Sequence, residues 1–220
     1  MKLIAENLTI DRGGRRVFED LSFSLNGGSA LVVTGANGIG KSSLLRTLAG
    51  LVPPSHGSIR LEGGAADTPP EEQAHYFGHQ DAVKPALSVE ENLQFWQNFT
   101  APAPAPGFSV RSVTPLEALD TLGIGHTAQL PAAFLSAGQK RRLSLCRLLV
   151  TSRPVWLMDE PTSALDRRSE TQLLELMNAH LAAGGLIVTA THSDLALADV
   201  LQLHLQAADA AALPVEDALP

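Results

Sequence analysis

The feature that most constrains this chain is an eight-residue run, Gly35-Ala36-Asn37-Gly38-Ile39-Gly40-Lys41-Ser42, spaced G-x-x-x-x-G-K-[ST]. Its glycines let the backbone wrap so that successive N–H groups point inward, where they meet phosphate oxygens. A helix that follows offers its positive N-terminal end to the same anion. Lys41 adds a mobile charge for the β- and γ-phosphates, and the Ser42 hydroxyl offers an oxygen to Mg2+. A random chain of this length carries such a pattern about once in a hundred, so the flanks decide. They fit: Ala30 to Thr34 (ALVVT) is a short apolar run suited to a buried strand, and Lys41 to Leu48 has helical spacing.

Beyond the loop, strand and helix patterns alternate. Leu3 to Ile10, the alternating Leu21, Phe23 and Leu25, Gly57 to Leu61, and Tyr76 to Phe77 read as strands. Ser88 is placed to cap a helix over Val89 to Phe99. Thr114 followed by Pro115 starts a helix over Leu116 to Leu122, and Ser136 opens one running to about Thr151. Residues from about 82 to 150 are therefore expected to be mostly helical. Within them, Ala101 to Gly107 (APAPAPG) is expected to be an exposed, semi-rigid connection. Val155 to Met158 and Leu186 to Thr191 read as buried strands, with a weaker one over Val200 to Leu205. Arg168 to Ala183 reads as a helix ended by Gly184 and Gly185, and the Ala-rich tail from Ala207 is expected to fray. Alternating elements of this kind imply an α/β fold with a largely parallel sheet.

Two further motifs carry chemistry. Val155-Trp156-Leu157-Met158-Asp159-Glu160 is a buried strand ending in two carboxylates, delivered to the edge where a parallel sheet places its ligands. There Asp159 would hold Mg2+, and Glu160 would polarise an attacking water. Leu135-Ser136-Ala137-Gly138-Gln139 sets a serine, small residues and free N–H groups at a helix start, either an ordinary cap or a second anion site.

Together these three motifs resemble the ABC ATPase family over nearly the whole chain. The resemblance implies a P-loop NTPase (RecA-like) core with a mostly parallel sheet, an antiparallel β subdomain and an inserted helical subdomain at about 82–150, all within one nucleotide-binding domain spanning 1–220. It implies nucleotide contacts from Gly35 through Ser42 and from Ser43. It casts Gln80 as the glutamine that senses Mg2+ and the attacking water, so that Ser42, Gln80 and Asp159 are the Mg2+ contacts. Glu160, His192 and Gln80 become the catalytic set, His192 meeting the γ-phosphate. Ser136, Ala137, Gly138 and Gln139 become a signature that acts in trans on the ATP of a second copy, with Asp166 in the dimer-facing Ser163-Ala164-Leu165-Asp166. Ala137 stands where the family's LSGGQ signature has its first glycine. The family usually places an aromatic ring before the loop to stack on adenine; here the matching place reads Asp11-Arg12-Gly13-Gly14. Arg12 could stack through its planar guanidinium. Phe18 is the other candidate, although VFEDLSF reads more as core.

Within the family, Tyr76 to Lys84 (YFGHQDAVK), Leu87-Ser88, Glu91-Asn92-Leu93, and LSAGQKRR at Leu135 to Arg142 resemble the ATP-binding subunits of cytochrome c maturation systems, the haem exporter branch. That implies membrane subunits of the CcmB and CcmC type, and indirectly a haem chaperone of the CcmE type. It places the chain peripherally on the cytoplasmic face of a bacterial inner membrane, touching the membrane only through partners. Its ATP hydrolysis would drive either haem export or release of the haem-loaded chaperone. No stretch approaches 18 consecutive apolar residues, and the start MKLIAENLTI does not read as a signal peptide. A single cysteine, Cys146, rules out an internal disulfide framework. His75, His79, His126 and Cys146 stand apart, outside any haem-ligating motif, and read as structural or surface residues, His79 with a part in shaping the Gln80 segment. An exporter of another substrate, such as a drug or lipid, is the nearest alternative. A soluble ABC ATPase acting on nucleic acid or ribosomes fits less well, because the net charge is −7 and no heptad run is present.

Overall fold

The computed structural model describes residues 1–103 and 105–206, and within them the strands divide between two sheets. The hairpin β1 (Lys2–Arg12) and β2 (Arg15–Asn26) precedes β3 (Ala30–Thr34) and α1 (Lys41–Leu48). After these come β4 (His56–Glu62), β5 (Ala74–Phe77) and three helices, α2 (Val89–Phe99), α3 (Pro115–Thr121) and α4 (Ala137–Val150). The chain then returns to β6 (Val155–Asp159), α5 (Arg167–Ala182), β7 (Leu186–Ala190) and β8 (Val200–His204). The antiparallel sheet has the order β2-β1-β4; the parallel sheet has the order β5-β6-β7-β3-β8.

Period-2 geometry sorts the parallel strands between two cores. Trp156, Met158 and Ile187 face α2 to α5, whereas Val155, Leu157, Leu186 and Val188 face α1 and the antiparallel sheet. Both faces are covered, which is why VWLMD and LIVTA are apolar almost throughout instead of alternating.

Helix starts are set by reciprocal caps. Ser88 and Glu91, Thr114 and Glu117, and Ser136 and Gln139 each exchange side-chain and backbone bonds at the first turn. These caps put α2 and α4 where the sequence predicts them; Pro115 is itself the first residue of α3. Between the helices, short 3-10 turns at Gly125–Thr127 and Ala132–Phe134 interrupt the expected helical stretch.

The expectation of an exposed connection over APAPAPG needs correction. The segment has neither helix nor strand among its described residues, yet Ala103 and Ala105 are buried. The Ala103 amide donates to the Ser152 carbonyl at 2.9 Å, and the small alanine methyls let the segment lie against the body. The predicted fraying from Ala207 lies outside the described residues.

Candidate active site

Strand register assembles the site. Asp159 of β6 stands opposite Ala190 of β7, and Ala190 stands opposite Val33 of β3. All three strands run the same way, so the loop after β3, Glu160 after β6 and His192 after β7 open side by side on one sheet edge. They border a cavity of about 950 Å3, lined by Asn37 to Ser43, Asp159, Glu160, His192 and His79, and by Arg12, Gly14, Arg15, Arg16 and Val17 at the hairpin tip.

The loop can take its shape only with glycine at two places. Gly35 has φ 138°, and a Cβ there would stand 2.8 Å from the Leu205 carbonyl oxygen. Gly40 has φ 118°, and a Cβ there would meet Val17. Gly40 also begins α1, whose start has no side-chain cap, so its first amides are left for an anion. Lys41 is buried, its ammonium donating to the carbonyls of Gly35 at 2.7 Å and Ala36 at 3.1 Å. The charge is thus held inside the ring of the loop.

His192 Nε2 lies 2.8 Å from Asn37 Oδ1, 3.3 Å from Lys41 Nζ and 3.9 Å from Glu160 Oε1. In one tautomer it donates to Asn37, in the other it accepts from Lys41. Glu160 is a non-glycine residue at φ 47°. Its amide donates to the Ala190 carbonyl at 2.8 Å, and the Thr191 hydroxyl donates to its Oε2 at 3.3 Å.

Asp159 is 2% exposed, and its Oδ2 has no hydrogen-bond partner among the described residues, with His79 Nε2 3.4 Å away. A buried carboxylate oxygen without a partner, in a cavity that Ser42 also lines, suits a hard cation that takes oxygen ligands. The residues present therefore fit Mg2+. Gln80 is exposed and does not line the cavity; its neighbour His79 does.

Arg12 lines the cavity mouth and is exposed. Phe18 is buried in the core beneath the loop and does not reach the cavity. Arg16 is tied to Asp11 and Glu19. Ser136, Ala137, Gly138, Gln139 and Asp166 do not line the cavity of their own chain. Ser136 and Ala137 are exposed, and a Cβ on Gly138 would stand 3.9 Å from the Ala164 carbonyl, so the start of α4 and the 163–166 segment are neighbours. Asp166 caps α5 by accepting from the Ser169 amide at 2.8 Å, a bond that lowers its carboxyl pKa.

Comparison with known proteins agrees with this geometry. A family model described as ABC transporter matches residues 18–163. The chain belongs to the ABC transporter family. It is an ATPase of that family, and it binds nucleotide. A protein called Cytochrome c biogenesis ATP-binding export protein CcmA, from Rhodopseudomonas palustris (strain BisB5), is 54% identical over 199 residues, covering 90% of this chain and 95% of that protein. Its namesake from Brucella abortus (strain 2308) is 46% identical over 221 residues, covering 99% of each. A solved structure titled "Structure of ATP binding subunit of ABC transporter" matches with a TM-score of 0.74 at 25% identity, over 87% of this chain and 80% of that one. The α/β fold with a parallel and an antiparallel sheet is that of the ABC ATPases. No helix among the described residues is long and apolar enough to cross a membrane.

Several residues of the site escape the motifs. Thr191, His79, Arg15 and Val17 reach it only through the fold. Arg141 escapes them too: it does not line the cavity but bonds the Glu160 carbonyl, and its sole trace in sequence is the basic run that ends LSAGQKRR.

Proposed function

We propose that this chain hydrolyses ATP to serve cytochrome c maturation, driving haem export or release of a haem-loaded chaperone. The observation that carries this reading is the similarity to CcmA proteins over 90–99% of the chain. In this reading the loop amides and Lys41 take the phosphates of ATP, and Arg12 lies against the base. Ser42 and Asp159 would hold Mg2+; Gln80, exposed and outside the cavity, would take the sensing role that the family resemblance gives it only once its segment swings inward. When bound, the ion supplies positive charge against the phosphates. Glu160, fixed by Thr191, accepts a proton from the attacking water, and His192 meets the γ-phosphate end beside Lys41.

The signature acts on a second copy. Ser136 and Gly138 do not line the cavity of their own chain, which supports a head-to-tail pair in which each ATP is closed by the other chain's α4 and Asp166 segment. Residues 82–150 form the helical subdomain of the single domain. Membrane subunits of the CcmB and CcmC type anchor the pair on the cytoplasmic face of the inner membrane, with a CcmE-type chaperone downstream.

Deletion of the gene tests the pathway. Haem staining of c-type cytochromes should vanish in the deletion strain and return with the wild-type chain but not with Lys41→Ala. Normal c-type cytochromes in the deletion strain would overturn the pathway and leave the ATPase standing.

A further inference from the structure

Arg141 lies on α4, five residues after Ser136, and is 4% exposed. Its Nη1 donates to the Gly78 carbonyl at 2.8 Å and approaches Asp81 Oδ1 at 3.3 Å; its Nη2 donates to the Glu160 carbonyl at 2.9 Å. Its guanidinium also lies 3.9 Å over the Phe77 ring. One side chain thus spans three segments: the signature helix, the stretch that carries Gln80, and the backbone of Glu160. Burying a guanidinium costs free energy, and Arg141 Nε is left without a partner among the described residues. Leucine would fill a core position on α4 without that cost.

We infer that Arg141 is a positioning residue that couples the signature helix to the general base, holding Glu160 in its left-handed backbone and the Gln80 segment in register with α4. The fork geometry explains why arginine stands there. Two parallel donors reach two carbonyls on different segments while the flat face rests on Phe77, an arrangement that a lysine ammonium cannot reproduce. A shift of α4, whose N-terminus faces the second copy, is carried to Glu160 through one rigid group. This inference rests on the roles proposed above for Glu160 and Ser136.

The test compares steady-state ATP hydrolysis of Arg141→Lys and Arg141→Met with the wild type. Glu160→Gln and Arg147→Met are run in parallel. Arg147 serves as the control: it lies on the same helix, is partly buried over the Trp96 ring at 3.8 Å and feels the Asp81 charge, but among the described residues it makes no hydrogen bond to the Gly78–Asp81 stretch or to Glu160. Thermal melting confirms folding, and Arg141→Lys carries the test if Arg141→Met does not fold. The expected result is a fall in kcat of at least tenfold for both Arg141 variants, with KM within threefold of wild type and no rescue by lysine. Arg147→Met should keep its kcat within threefold. A folded Arg141→Lys with kcat within tenfold of wild type overturns the inference, as does a loss expressed in KM or an equal loss in Arg147→Met. An unchanged rate in Glu160→Gln would instead overturn the role given to Glu160.

Discussion

Glu160 is held in a left-handed backbone that a non-glycine residue enters at a cost of about 1 kcal/mol. Four partners offset it: the Ala190 carbonyl, Arg141, the Ser163 amide and the Thr191 hydroxyl. The result is a carboxylate aimed into the cavity instead of along the strand. Lys41 shows the same economy, since among the described residues its buried ammonium has only loop carbonyls and His192 for company. Phosphate oxygens would complete that shell with charge-assisted bonds, which are about twice as strong as neutral ones. Lys41→Ala should therefore weaken ATP binding at least tenfold in a fluorescent-nucleotide titration, and abolish detectable turnover. Binding within twofold of wild type would contradict the role given to Lys41.

At the scale of elements, the phosphate loop works because α1 starts uncapped, whereas α2, α3 and α4 start with closed capping boxes. Ser88→Ala removes one such box at the start of α2, far from the loop. It should cost about 1 kcal/mol, which for a chain of this size lowers Tm by roughly 2–4 °C, with hydrolysis unchanged in an assay well below Tm. A Tm within half a degree of wild type would show that tertiary packing alone sets that helix start. These caps are also why α2, α3 and α4 were legible in the sequence, whereas α1 was legible from the glycine-rich loop before it: cap residues and turn glycines act locally, and so do their signals. The carboxylates at the end of β6 were legible because a buried strand leaves few places for an acid. What acts across distance was not legible. Nothing in APAPAPG announces that Ala103 bonds Ser152, and nothing in FGHQD says that His79, and not Gln80, faces the cavity. Arg141 reads as one more basic residue until the fold brings Gly78 and Glu160 to it.

The whole molecule places two neutral histidines under its helical layer. His75 bonds the Thr151 carbonyl at 2.6 Å, and burial holds its pKa down at about 3. His180 stacks on Trp156 at 4.0 Å, bonds the Pro154 carbonyl, and burial holds its pKa down at about 4. Unfolded, each would titrate near 6.5. Below that pH the unfolded chain binds protons that the folded chain refuses, so stability rises with pH across about 4 to 6.5 and is level above it as far as these two groups are concerned. The slope is at most about 1.4 kcal/mol per pH unit for each histidine. Urea unfolding at pH 5 and pH 7.5 should show lower stability at pH 5, and a folded His75→Gln, His180→Gln double variant should lose most of that difference. An undiminished difference would assign the acid sensitivity elsewhere.

At this scale too lies the claim on which the rest depends, that the Lys41–Glu160 cavity is half of a composite ATPase site completed by a second copy of the chain. Gel filtration of Glu160→Gln with ATP and Mg2+ tests it most directly, because that variant should bind ATP and fail to release the pair by hydrolysis. The account predicts elution as a dimer with ATP retained, and as a monomer once nucleotide is removed. A monomer at saturating ATP, with nucleotide bound, would contradict it.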